Sequence, residues 1–126
     1  MDKNSILVLD DECDIVAVIK TALENQKYSV FCFTESPIAL EHFRNNYTYY
    51  GLVITDLRMP VMNGFDFIKS VRQIKSEIKV LLMSAFEIND DPDFADTFKT
   101  HNINGFLHKP FSIKELNLAV EDQMQK

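Results

Sequence analysis

Asp10-Asp11, Asp56, Ser84 and Lys109 each follow a short apolar run: Ile6-Leu7-Val8-Leu9, Leu52-Val53-Ile54-Thr55, Val80-Leu81-Leu82-Met83 and Gly105-Phe106-Leu107-His108. Carboxylates, a hydroxyl and an ammonium gathered in one place suit a hard divalent cation and a carboxylate that can carry a phosphoryl group. Asp10-Asp11-Glu12 sets three acids side by side, and such neighbours raise one another's pKa values unless a cation settles among them. Magnesium prefers octahedral oxygen coordination with several waters retained, so Asp11 and Asp56 could supply the protein's share, with Asp10 acting through a water. Helix capping alone would explain acids after the first run, where the macrodipole favours them, but not Asp56 as well.

Asp56 is the candidate nucleophile, because a carboxylate can attack a phosphoryl group once a metal lets two anions approach. Met59-Pro60 and Asn63-Gly64 predict a tight turn after it, with Pro60 fixing φ and Asn63 or Gly64 supplying turn geometry. Ser84 and Lys109 could bond the phosphoryl oxygens that the metal leaves free. Taken singly, Lys109 reads as a surface lysine and Ser84 as a helix N-cap. The pair Lys109-Pro110 marks a fixed geometry at a strand end, a candidate for a cis bond.

Those residues need a sheet whose strands end together. Apolar runs of strand length alternate with helix-period segments, the pattern of repeated βα units around a parallel sheet. In an open sheet of that kind the strand ends converge on one crevice. The first helix is expected after Asp11, with Ile15, Val18, Ile19, Ala22 and Leu23 as its apolar stripe. The second opens with Ser36 as N-cap and Pro37 at the first helical position. The third begins at Asn63 and carries Ile68, Val71 and Ile74. The last opens with the capping box Ser112 to Glu115, followed by Leu116, Ala119, Val120 and Met124. Between Phe86 and Gly105 only Phe94, Ala95 and Phe98 point to a short fourth helix, broken by Asp90-Asp91-Pro92-Asp93.

The 126 residues fit one domain, 1–126, and 46% hydrophobic residues are enough for a core. A formal charge of -6 gives no footprint for direct nucleic acid binding. No signal peptide or membrane-length apolar run is seen, so no membrane insertion and a cytoplasmic setting are expected. Cys13 and Cys32 therefore read as reduced thiols, Cys13 in a small buried apolar role. His42, His101 and His108 show no metal-ligand spacing and read as surface or strand-end residues. Tyr47-Thr48-Tyr49-Tyr50, with Phe43 nearby, reads as packing before the third strand.

Taken together, Asp10-Asp11, Asp56 with Met59-Pro60 and Gly64, Ser84-Ala85, and Gly105-Phe106 with Lys109-Pro110-Phe111 resemble the receiver domain of two-component response regulators, especially the stand-alone chemotaxis type. The resemblance implies a doubly wound α/β fold, flavodoxin-like (βα)5, with five parallel strands ordered 2-1-3-4-5. It implies Mg²⁺ held by Asp11, Asp56 and the backbone carbonyl of Arg58. It implies phosphorylation of Asp56 by a sensor histidine kinase or histidine phosphotransfer protein, with Ser84 and Phe106 as switch residues altering a surface of the fourth helix, fifth strand and fifth helix. Phe106 lacks the hydroxyl of the tyrosine common there, so its two positions would differ by packing alone. Arg58 and Phe86 would flank the path of attacking water, and a bulky apolar Phe86 implies slow hydrolysis. The segment from Ser84 to Lys109 is longer than in many receivers, which implies a displaced or partly irregular fourth helix.

Other classes fit less well. An aspartate-nucleophile phosphatase wants a second acid two residues after the nucleophile, where Arg58 stands. A flavin or nucleotide module wants a Gly- or Ser/Thr-rich loop after the first strand, where Asp10-Asp11-Glu12 would repel phosphate. A phosphorylation-independent scaffold would lack one of the five site residues. The expectation is thus a switch without separate substrate turnover. No DNA-binding helices follow the last helix, so the chain is expected either to act alone through a downstream protein partner or to be a receiver taken from a longer protein with an output domain.

Overall fold

The computed structural model describes residues 3–85, 99 and 102–125. Five strands, β1 (Ser5–Leu9), β2 (Val30–Phe33), β3 (Tyr50–Asp56), β4 (Lys79–Ser84) and β5 (Gly105–His108), pair in parallel in the order β2-β1-β3-β4-β5. The central strands read as unbroken apolar runs because both faces of a parallel sheet are covered. Alternate side chains of each strand feed opposite cores. Leu7, Leu9, Val53, Val80 and Leu82 pack under α2 (Ser36–Asn46) and α3 (Gly64–Ile74) with Phe43, Phe67, Ile68 and Val71. Ile6, Val8, Leu52, Ile54, Leu81 and Met83 pack under α1 (Cys13–Asn25) and the C-terminal helix (Ile113–Met124) with Ile19, Leu23, Leu116 and Val120.

The helix signals hold with local differences. Asn63 caps α3, its side chain accepting from the Asp66 amide at 2.9 Å, and Ser112 with Glu115 forms the capping box. In α1 the buried stripe is Val16, Ile19, Ala22 and Leu23, while Val18 is 50% exposed. The stripe turns this way because α1 faces both β2 and the C-terminal helix. Ser36 is not the N-cap of α2. Glu35 holds that position, and the buried Ser36 hydroxyl instead donates to the Met62 carbonyl at 2.8 Å, tying α2 to the loop after β3. Cys13 is exposed at the start of α1, not buried, while Cys32 is half-buried.

Tyr50 is fully buried and lies within β3, whereas Tyr47 and Tyr49, in a short 3-10 turn before it, are exposed. His42 is half-buried on α2 and is not a strand-end residue. It bonds the Tyr50 hydroxyl beneath α2 and stacks among Phe31, Phe33 and Tyr50, and burial lowers its pKa. At the far end of the sheet from the strand ends, Asn104 gathers four bonds. Its Oδ1 accepts from Val80 N (2.8 Å) and Arg72 Nη2 (2.9 Å), its amide donates to Val80 O (3.0 Å), and its carbonyl accepts from Gln123 Nε2 (3.1 Å). The expected fourth helix with Phe94, Ala95 and Phe98, together with Phe86 and His101, lies outside the described residues. Among the described residues no helix is long and apolar enough to cross a membrane.

Candidate functional site

β1 and β3 are neighbours with Leu9 paired to Thr55, so the residues that follow, Asp10 and Asp56, emerge side by side. Asp10 is fully buried. One of its oxygens accepts from the Glu12 amide at 2.9 Å, which turns the chain into α1, and the other takes the Lys109 ammonium at 2.6 Å. Asp11, on the same turn, is exposed. Asp10, Asp11 and Asp56 each offer a carboxylate oxygen, all within 4.8 Å of one another. That oxygen set fits a small hard cation.

Asp56 is 7% exposed. Burial, then the charge of Asp10, pushes its carboxyl up to about 6, against the pull of Lys109 and the Leu57 amide. Lys109 lies 3.1 Å from Asp56. Burial works against its ammonium, but the bonds and charges of Asp10 and Asp56 outweigh it, so its pKa is raised. The crevice thus holds more negative charge than one lysine can neutralise.

The loop after Asp56 is built tightly. Leu57 N donates to Met83 O at 3.0 Å and Gly64 N to Leu57 O at 2.7 Å. A Cβ on Gly64 would lie 2.3 Å from the Asp56 carbonyl oxygen, so this glycine is required by close approach. It does not supply the turn's left-handed backbone. Among the described loop residues that conformation falls on Val61, with φ 70°, following the exposed Pro60. Nothing in the sequence signalled Val61, because a β-branched residue is disfavoured there.

Ser84 ends β4, is 2% exposed, and accepts the Lys109 amide on its carbonyl at 2.8 Å. That bond, with Ser84 paired to His108 in the sheet, positions Lys109 over the crevice. The Lys109-Pro110 peptide is cis. Phe106, three residues before Lys109, is half-buried against the core under α2 and α3, its ring 6.5 Å from that of His108. Arg58 is exposed. Asp10, Asp11, Asp56 and Lys109 therefore meet directly, Ser84 joins them through the backbone, and Phe106 stands behind them.

The model of the response regulator receiver domain family matches residues 6–121. The chain belongs to the response regulator receiver family. This receiver is 28% identical over 121 residues to the response regulator SaeR of Staphylococcus aureus, an alignment covering 96% of the chain and 50% of SaeR. It thus spans about half the length of that relative. It is similar in structure to a response regulator receiver domain protein from Clostridium thermocellum, with TM-score 0.86, 28% identity, and 97% and 94% of the two chains covered. Its fold is also similar to that of the chemotaxis protein CheY4 of Vibrio cholerae, with TM-score 0.84, 25% identity, and 94% and 97% covered. Membership assigns the receiver to two-component signalling, in a phosphoacceptor role.

Proposed function

We propose that Asp56 is the phosphoacceptor, with Mg²⁺ held by Asp11, Asp56 and the Arg58 carbonyl, and by Asp10 through water. The observation that carries this is the carboxylate cluster of Asp10, Asp11 and Asp56, with Lys109 bridging the two buried members, Asp10 and Asp56. The donor is a sensor histidine kinase or histidine phosphotransfer protein. An Asp56 oxygen attacks phosphorus, the P–O bond forms as the P–N bond to the donor's histidine breaks, and the imidazole leaves with the electron pair. The cation supplies the positive charge that lets two anions approach. Lys109 and Ser84 hold phosphoryl oxygens by charge-assisted and hydroxyl hydrogen bonds. Pro60, Gly64 and Pro110 fix the loops that carry these groups.

Chain 1–126 acts as one receiver unit, without a separate substrate. Phosphorylation draws Ser84 inward, Phe106 follows, and the face of β5 and the C-terminal helix changes its affinity for a downstream protein partner or an output domain. The formal charge of -6 argues against nucleic acid as the receiver's own direct target. Intact mass after treatment with acetyl phosphate and Mg²⁺ tests the acceptor. One phosphoryl group is expected on the wild type and none on Asp56→Asn, and equal modification of both proteins rejects Asp56.

A further inference from the structure

We propose that His42 is a proton-operated latch: neutral, it fastens α2 to the first residue of β3, and charged, it releases α2 and slackens the loop that follows Asp56. The Tyr50 side chain is fully buried, and its hydroxyl has one bonding partner among the described residues, His42 Nε2. At the other ring nitrogen, Nδ1, the Asn46 carboxamide stands 3.4 Å away. Its nitrogen donates to the His42 carbonyl at 2.8 Å, which fixes the amide so that it presents N–H to the ring.

A neutral imidazole carries one N–H and one lone pair. With the lone pair on Nε2, Tyr50 donates to it; with the lone pair on Nδ1, Asn46 does. An added proton takes that lone pair in either tautomer. In the first case the Tyr50 proton is left without an acceptor among the described residues, and in the second two N–H groups face each other. Leaving a buried donor unmatched costs more than the bond itself was worth. The Phe33 ring, 4.8 Å away, offers a cation some compensation but replaces neither bond. Burial likewise lowers the His42 pKa, and it raises that of Tyr50, whose hydroxyl keeps its proton.

Among the described residues no charged group bonds the ring. Phe31 and Phe33 of β2 flank it, while Cys32 between them packs under α1. Glu41 and Arg44 of α2 pair with each other at 3.1 Å on the exposed side, and the Lys75 ammonium, after α3, donates to the Tyr47 and Tyr50 carbonyls. The second anchor of α2 is Ser36, which donates to Met62 O at 2.8 Å. Between the two anchors Ala39 and Leu40 are buried, as is Phe43 beside His42. The helix therefore ties the first residue of β3 to the loop beyond its last, Asp56, and freeing the Tyr50 anchor alters its hold on that loop.

The test is an NMR titration from pH 7.5 to 5 with a chelator present, in an Asp56→Asn background that removes the titration of Asp56 itself. The His42 ring should titrate with a midpoint below the ordinary 6.5, and the amides of Ala39, Leu40, Phe43 and Met62 should shift with that same midpoint. Hydrogen exchange of the α2 amides, corrected for its intrinsic pH dependence, should rise several-fold at the acid end relative to those of the C-terminal helix. His42→Gln keeps a neutral hydrogen-bonding group for Tyr50 and should abolish the shared titration and the acid-induced exchange. Amides of α2 and Met62 that titrate alike in His42→Gln and its parent would overturn the latch. So would a His42 midpoint at or above 6.5, or α2 exchange that is unchanged while the ring titrates. If His42→Gln fails to fold, its parent alone decides, and a His42 midpoint that Met62 does not share rejects the proposal.

Discussion

The Lys109 ammonium lies 2.6 Å from Asp10 and 3.1 Å from Asp56, so one cation joins buried carboxylates from two adjacent strands. Its own position is set by β5, far along the chain but next to β4 in the sheet. This is the arrangement expected of a site awaiting a further cation: paired, yet short of positive charge.

Lys109→Met should therefore destabilise the metal-free protein. Removing one partner of a buried ion pair costs about 3 kcal/mol, since the remaining charges lose compensation. The loss should be larger at pH 8 than at pH 5, where Asp56 can take a proton, and millimolar Mg²⁺ should recover part of it. Urea unfolding at both pH values, with and without Mg²⁺, measures this; an unchanged midpoint would show that the lysine contributes nothing to the fold.

Asp56 gives a pH dependence of opposite sense to a salt-bridged carboxylate. Its folded pKa, about 6, stands above the ordinary 3.8, so the folded protein binds this proton more tightly. The resulting stability is fully present below pH 3.8 and is lost as pH rises through 6. Asp56→Asn removes the penalty, so at pH 7 without metal it should be more stable than wild type by about 2 kcal/mol. Its stability should also change less between pH 4 and 6 than that of the wild type, in urea titrations with a chelator present.

Gly64→Ala should cost about 3 kcal/mol, the upper range for overpacking, because the new Cβ meets backbone at Asp56 and Leu57. Gly51→Ala is the control. Its Cβ would meet the Asn4 side chain at 3.2 Å, which can turn away, and Asn4 Cα at 3.4 Å and Met124 Cε at 3.7 Å, both ordinary contact distances. Thermal midpoints that fall equally for the two variants would contradict the special packing at Gly64.

Ser84→Ala should still accept a phosphoryl group at Asp56 but transmit it poorly. Amide NMR shifts in β5 and the C-terminal helix on adding acetyl phosphate and Mg²⁺ should shrink several-fold relative to wild type. Full-sized shifts in the variant would break the proposed link from Ser84 to Phe106.

Much of this was legible in the chain because the chemical residues are also the last residues of strands. An unbroken run as short as Ile6 to Leu9, rich in β-branched residues and stopped by acids, reads as a strand covered on both faces, and its end fixes Asp10 at the sheet's edge. Caps at Asn63 and Ser112 are local chemistry and were readable for the same reason. What escaped depends on partners distant in sequence. Ser36 gives its hydroxyl to Met62 across 26 residues, His42 meets Tyr50 inside an aromatic cluster, and Val16 replaces Val18 where α1 turns toward a helix from the far end of the chain. Val61 escaped because its backbone state contradicts its residue type.

The four bonds on Asn104 have a mechanical consequence. They hold the start of β5 through amides, carbonyls and an arginine that keeps its charge at any ordinary pH, so proton or ligand exchange scarcely alters them. The other end of β5 is moored through Lys109 to two carboxylates whose charge balance any cation or phosphoryl group rewrites. β5 is thus pinned at Asn104 by bonds indifferent to charge and held at Lys109 by bonds that depend on it, with Phe106 between the two.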